Sequence, residues 1–280
     1  MTEFYEAISQ AAELSANCLC ETDYLAEDGM WHCGECHEPK QASFEFFGVK
    51  RTVFCMCPCG VAEYERKQVA WRISQMQQRI KELREAGITD ESARKFVFDN
   101  AEDTPEVDIC RNYVDNWKFA LENNKGLLFW GEPGYGKTFA ACCIANALID
   151  QGVSAVVTSF PRILRQSNSD QQILDKQIKE CGLLVIDDLG VERKSDYASE
   201  TVYQILDERY KAQKPIILTT NLHPKAFADP NADDSQRRIS TRVLAWCRQI
   251  KFKSKCFRAA ESQQFSEFDK LLKAPRRKNE

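Results

Sequence analysis

The chain has 280 residues, more than one domain of usual size, so a core of about 200 residues with a smaller appendage is expected. Its 38 Lys+Arg against 42 Asp+Glu give a formal charge of −4, which excludes histone-like or ribosomal basicity and confines any nucleic-acid contact to a local surface. The longest mostly apolar run, Phe139 to Ile149, has eleven residues against the roughly 20 of a membrane span, and the start carries no signal-peptide pattern, so a cytoplasmic protein without a membrane partner is expected.

Residues 1–60 read as a small metal-stapled module. Thirteen cysteines in a chain without an export signal point to reduced thiols and metal ligation. Seven stand at positions 18, 20, 33, 36, 55, 57 and 59, and six are scattered over the remaining 221 residues. Cys33 and Cys36 supply two thiolates one turn apart, and Cys55-Met-Cys-Pro-Cys59 supplies a second pair about 20 residues later, near zinc-ribbon spacing. Four thiolates close a tetrahedral Zn²⁺ site, which would hold together a module too small for its own core. Cys57 with Cys59 is the preferred second pair, Cys55 the alternative, and His32, His37, Cys18 and Cys20 further substitutes. No C-x-x-C-x-x-C run supports an iron–sulfur cluster. The other cysteines, Cys142 and Cys143 among them, read as small core residues.

Residues 61–94 are expected as a helical linker. From Ala62 to Ala86 the sequence is charged and helix-favouring, with Val69, Ile73, Met76, Ile80 and Leu83 spaced 4, 3, 4 and 3 apart. Such a seam rests on its own protein or binds a partner helix, and Gly87 is a plausible terminator. Thr104-Pro105 marks the start of the next helix, whose inner face is expected to carry Ile109, Tyr113, Val114, Trp117 and Leu121. Beyond it, apolar runs near 126–130, 154–159, 182–187, 215–220 and 249–253 read as strands. Amphipathic stretches near 137–151, 198–212 and 234–247 read as helices. This alternation predicts an α/β domain with a mostly parallel sheet over 95–260, followed by a Lys/Arg-rich tail, 261–280.

Gly131-Glu132-Pro133-Gly134-Tyr135-Gly136-Lys137-Thr138 satisfies G-x-x-x-x-G-K-[ST] between a predicted strand and a predicted helix. Backbone N–H groups and the helix dipole can converge there on a β-phosphate, with Lys137 on the β- and γ-oxygens and Thr138 on Mg²⁺. Leu183-Leu-Val-Ile-Asp-Asp188 is a buried strand ending in two carboxylates, where a parallel sheet opens onto its ligand crevice. Asp187 suits the Mg²⁺ shell and Asp188 the attacking water, unless the two are an ordinary surface pair. Asn221, closing the strand Ile216–Thr220, can hold the same water or start the turn that follows.

This order of motifs resembles the AAA+ ATPases, and more narrowly the helicase-loader and transposition-ATPase group that includes DnaC, DnaI and IstB. The resemblance spans about residues 95–258 and rests on Lys125–Gly131 with the phosphate loop, Ile144-Ala-Asn-Ala-Leu148, Ile186-Asp-Asp-Leu-Gly190 with Glu192-Arg193, Asp207-Glu-Arg209, and Pro215–Leu222. It implies a P-loop sheet flanked by helices and an ATP-binding ATPase. Asn221 takes the sensor-1 position, and a helix supplies an arginine finger at Arg242, or Arg238, to a neighbouring protomer of a homo-oligomer. Phe257-Arg258 is similar to the sensor-2 position. Only about twenty residues follow it, too few for the helical lid of most AAA+ proteins, as in the loader group. Asp188 stands where most members carry Glu, implying slow, switch-like hydrolysis. Eight basic residues and no acidic one between Gln236 and Arg258 suit single-stranded DNA, or form a solvated face. Phage and Firmicutes proteins of this group carry a similar Cys-rich front, so a helicase-docking module and the replicative helicase as partner are implied. A DNA-bound transposition regulator and a nucleotide-gated adaptor with negligible turnover are the other readings.

Overall fold

The computed structural model describes residues 19–46, 48–164, 168–189, 196–225 and 234–257. The chain divides into two compact units, residues 1–77 and 78–280. In the first, β1 (Tyr24–Leu25) pairs antiparallel with β2 (Trp31–His32), and β3 (Gln41–Phe46) with β4 (Val49–Phe54). Its buried apolar residues are few: among the described residues they are Cys33 and Cys57.

Helix α1 (Pro58–Gly87) begins in the first unit and ends in the second. The apolar seam along it divides in the same way. Val69, Ile73 and Met76 are exposed, whereas Ile80 and Leu83 pack into the core of the second unit. The second half of the expected linker therefore belongs to the α/β domain. Gly87 stops the helix where its backbone meets β6 (Ala155–Ser159), for a Cβ there would lie 1.8 Å from the Ala155 carbonyl oxygen. Ile88 then makes a parallel bridge to Val157 and covers the edge of that strand.

Thr104 caps α2 (Pro105–Asp115) as predicted, its hydroxyl accepting from the Val107 N–H at 3.3 Å, with Pro105 in the first turn. The predicted face is partly wrong. Ile109 and Leu121 are exposed, while Glu106, Val107, Cys110 and Val114 turn inward. The helix also breaks at Asn116 into α3 (Trp117–Glu122), which shifts the periodicity. Three of the inward residues, Glu106, Val107 and Cys110, are absent from the predicted face, and one is a carboxylate: Glu106 accepts from Ser254 Oγ at 2.6 and 2.8 Å and from the Lys253 N–H at 3.2 Å. Burial works against its charge, but these hydrogen bonds outweigh it and hold the carboxyl below the usual range.

The sheet is parallel with five strands in the order β6, β7 (Leu183–Leu189), β8 (Ile216–Thr220), β5 (Gly126–Trp130) and β9 (Cys247–Lys251). Each strand alternates between two buried layers, as one covered on both faces must. Leu127, Phe129, Val185 and Ile217 face α4 (Lys137–Asp150), α2 and α3; Leu128, Leu184, Ile186 and Leu218 face the other layer. That layer holds α5 (Phe160–Ile163), α6 (Asn168–Glu180), α7 (Asp196–Lys211) and α8 (Asp234–Trp246). Two of these, α5 and α6, are absent from the predicted elements, because a largely polar sequence with inward residues as sparse as Ile163, Leu174 and Ile178 gives little periodic signal. The predicted last strand lies two residues earlier than expected. Among the described residues no helix is long and apolar enough to cross a membrane.

Two buried polar side chains fix the frame. Asn146 Nδ2 donates to the carbonyls of Ala93, Phe96 and Cys142 at 2.9–3.1 Å, tying α4 to the segment before α2. Arg209, fully buried in α7, donates to four carbonyls: Ile178 and Cys181 from Nη1, Gly182 and Pro215 from Nη2, at 2.7–3.0 Å. It clips the end of α6 to the starts of β7 and β8. Arg209→Leu leaves those buried acceptors without their donor and should lower stability by about 3 kcal/mol or more, read as an earlier urea midpoint at unchanged slope.

Candidate functional site

The carboxyl ends of β5, β7 and β8 bring the predicted nucleotide-site residues together. Gly131, Gly134 and Gly136 have φ of +141°, +89° and +83°, values only glycine adopts without strain. Lys137, the first residue of α4, is buried, and its Nζ donates to the carbonyls of Gly131 and Glu132 at 2.8 Å each. Its ammonium is thus held inside the loop's own curve. Thr138 Oγ1 donates to Asp187 Oδ1 at 2.8 Å, so the predicted metal pair is already in contact.

The stretch after β9, Phe252 to Phe257, flanks this loop. The Phe257 N–H donates to Gly134 O at 2.8 Å, and a Cβ on Gly136 would meet the Phe257 ring at 3.1 Å. A Cβ on Gly131 would lie 2.4 Å from the Phe252 carbonyl oxygen. Beside the loop, the Trp130 ring packs on His223 with centroids 4.5 Å apart, and Lys251 Nζ sits 5.0 Å from its centroid. None of these neighbours has a periodic signature; only the aromatic residues at 252 and 257 hint at them.

Asp187 and Asp188 stand at a bulge. Between the pairs Ile186–Leu218 and Leu189–Thr220, two residues of β7 oppose the single Thr219 of β8. Asp188 takes φ of +58°, uncommon for a non-glycine residue. Thr219 Oγ1 donates to Asp187 Oδ1 at 2.5 Å and accepts from the Asp188 N–H at 3.0 Å. Thr219 escaped the sequence reading, although a polar residue inside an apolar strand run was the available signal. Asn221 lies one residue beyond β8 and is exposed.

Of the predicted arginines, Arg242 sits in α8 and pairs with Asp207 of α7, its guanidinium also 5.8 Å from the Tyr210 ring. Lys211, first, and Arg242 hold the Asp207 carboxyl below its ordinary value. Arg242 is therefore on the layer opposite α4, engaged within its own chain. Arg238 is in the same helix, its side chain outside the described residues. Arg258, Gly190, Glu192, Arg193, Cys18 and the tail 261–280 also lie outside them.

In the first unit, Cys33, Cys36, Cys57 and Cys59 have their sulfur atoms within 4.8 Å of one another; Cys55 is not of the group. Three separations, Cys33–Cys59, Cys57–Cys59 and Cys36–Cys59, are 3.4, 3.2 and 3.5 Å. A tetrahedral ion with metal–sulfur bonds of about 2.3 Å sets sulfurs about 3.8 Å apart, so the donor set fits. Local backbone prepares it. The N–H groups of Cys36 and Glu35 hold the Cys33 thiol down to about 6, and the turn closes with His37 at φ +59°. Cys57 and Cys59 flank Pro58 at the N-terminus of α1, where the helix dipole favours thiolate. Contact with the thiols of Cys57, Cys33 and Cys36 pushes Cys59 up, which a bound cation would relieve.

The two histidine substitutes are engaged elsewhere, and Cys20 is not of the group. His32 bonds the His37 carbonyl through Nδ1 and Asp28 through Nε2, and His37 Nδ1 bonds the Tyr24 hydroxyl. Nearby, buried Lys40 pairs with Asp23 at 2.6 Å. Burial disfavours its charge, but the Asp23 carboxylate, backed by Cys20 and Cys57, outweighs it and holds the ammonium above its usual value. A cation there suits an anionic thiolate cluster.

Residues 64–265 match the family model described as IstB-like ATP binding protein. The chain belongs to that family. It is 30% identical over 142 residues to the replicative helicase loader DnaC of Escherichia coli K12, covering 48% of this chain and 54% of that protein. To the replicative helicase loader DnaI of Bacillus subtilis it is 29% identical over 124 residues, covering 42% and 38%. The chain thus spans about half the length of the curated relatives it matches. Among solved structures, a putative primosome component from Streptococcus pyogenes serotype M3 superposes with TM-score 0.52 at 21% identity, covering 62% of this chain and 96% of that one. A crystal structure of DnaI gives 0.50 at 22%, covering 60% and 93%. These likenesses establish the fold: a P-loop sheet flanked by helices.

The cysteine geometry yields a direct check. Cys55→Ser should keep one metal ion per chain, while Cys57→Ser and Cys59→Ser should each lose it, measured by elemental analysis of protein purified without added metal.

Proposed function

We propose that this protein is an ATP-dependent loader of a replicative DNA helicase. The observation that carries the reading is the Thr138–Asp187 contact, which joins the phosphate loop to the acidic strand end in one site. The names of the relatives DnaC and DnaI, and the family's description as ATP-binding, support it.

In this reading the loop amides of Gly131 to Gly136 and the ammonium of Lys137 bind the β- and γ-phosphates. Lys137 exchanges its two loop carbonyls for phosphate oxygens, a stronger, charge-assisted bond. A bound Mg²⁺ would supply charge neutralisation at the β- and γ-phosphates, held through Thr138 and Asp187. Asp188 orients and deprotonates the attacking water, with Asn221 on the opposite side. The aspartate's shorter reach, compared with glutamate, keeps hydrolysis slow and makes it a switch.

Arg242, or Arg238, acts on the γ-phosphate of a neighbouring protomer, and Arg258 on its own. To do so Arg242 has to leave Asp207, so assembly and hydrolysis are coupled through that ion pair. Single-stranded DNA binds the basic stretch between Gln236 and Arg258 and is a second ligand of the assembled form. Zn²⁺ fills the four-thiolate site, and the module so closed docks the helicase. A transposition regulator is the competing reading, and the thiolate module weighs against it.

Lys137→Ala should weaken ATP-analogue binding at least about tenfold, and Asp188→Asn should cut DNA-stimulated phosphate release about 100-fold while leaving binding intact. Equal release from wild type and Asp188→Asn removes the ATPase. Immobilised protein with Mg·ATP should retain a replicative helicase and not a transposase; retention of the transposase alone replaces the loader with the regulator.

A further inference from the structure

Thr219 and Thr220 end a strand otherwise built from Ile216, Ile217 and Leu218, and both are fully buried. A buried hydroxyl left without a partner costs stability, and both of these have one. Thr220 finds main chain. It donates to Leu189 O at 2.7 Å and accepts from the Leu222 N–H at 3.1 Å, closing the strand end. Thr219 points to the opposite layer, and both of its bonds run to the acidic pair.

The first bond shares Asp187 Oδ1 with the Thr138 hydroxyl, so two neutral donors fix one carboxylate oxygen. The second falls inside the bulge, where the ladder between β7 and β8 skips a residue. Asp188 adopts its positive φ at that point. A left-handed non-glycine residue is strained and persists only where its surroundings hold it. The Thr219 oxygen supplies that hold.

We infer that Thr219 is a positioning residue of the hydrolytic site. Its one hydroxyl orients Asp187 toward the metal and, by accepting the Asp188 N–H, locks the bulge that aims Asp188. The inference rests on the reading of Asp187 and Asp188 as the acidic pair of an ATPase. With Thr138 assigned to the metal, Thr219 remains as the donor on Oδ1. Both hydrogen bonds of the Thr220 hydroxyl, by contrast, run to main-chain groups outside the acidic pair.

Thr219→Val keeps the shape and removes both bonds, and Thr219→Ser keeps them. ATP hydrolysis is followed across a Mg²⁺ titration on the full chain. Binding of a fluorescent ATP analogue is measured with EDTA and with Mg²⁺. Val should lower turnover about tenfold or more and raise the Mg²⁺ half-saturation several-fold, with metal-free affinity within about twofold, and Ser should restore both. Wild-type turnover and Mg²⁺ response in the Val variant overturn the inference. Loss of metal-free affinity without rescue by Ser overturns it too, leaving Thr219 a packing residue. Should Val fail to fold, Thr219→Cys, close to Ser in shape but a weak donor, is compared with Ser, and equal Mg²⁺ responses then refute the role. If wild type binds Mg·ATP without turnover, the ATPase reading fails by itself, and the Mg²⁺ dependence of analogue binding alone decides Thr219.

Discussion

A parallel sheet covered on both faces can present polar chemistry only where its strands end. In this chain that constraint gathers the phosphate loop and the acidic pair on one rim. β5 runs out into the phosphate loop, β7 into Asp187 and Asp188, and β8 into Thr219, Thr220 and Asn221. The apolar interior of each strand sets the register, and the register sets which side chains meet. Thr138 reaches Asp187 because α4 starts at the end of β5 and packs on the layer that Asp187 faces. A one-residue slip in β7 would send that carboxylate to the other layer.

The strand centres and the phosphate loop were legible from sequence because each rests on local rules: apolar runs, a glycine spacing, a cap before a proline. The four-thiolate set was legible for a similar reason, ligand spacing, and the structure groups the preferred cysteines without Cys55. What escaped depends on long-range partners. Glu106 turns inward because Ser254 and Lys253 lie opposite it, almost 150 residues later. Thr219 matters because β7 bulges across from it. Arg209 looked like part of a family motif, and only the fold reveals four carbonyls converging on it. The inner face of α2 failed because periodicity discounts carboxylates and cannot foresee the break at Asn116.

The Cys-rich unit solves a different problem. Among the described residues its two antiparallel strand pairs bury little apolar surface, while four thiols lie close enough together to hold a metal ion. The chain gathers its donors from two unlike local structures, a turn whose amides surround Cys33 and a helix start that carries Cys57 and Cys59. The turn amides favour thiolate at Cys33, whereas burial holds the Cys57 thiol up and the neighbouring thiols hold Cys59 up, with the Lys40 ammonium nearby.

The glycines of the phosphate loop are held in place from outside as well as from within. A Cβ at position 131 would run into the Phe252 carbonyl oxygen and one at position 136 would press on the Phe257 ring, whether or not a phosphate is ever present. A descendant that had abandoned nucleotides would still be selected to keep both glycines, simply to pack. In such lineages the loop's consensus would outlive its chemistry, and the buried ammonium at position 137, rather than the glycine pattern, would be the faithful mark of a working site.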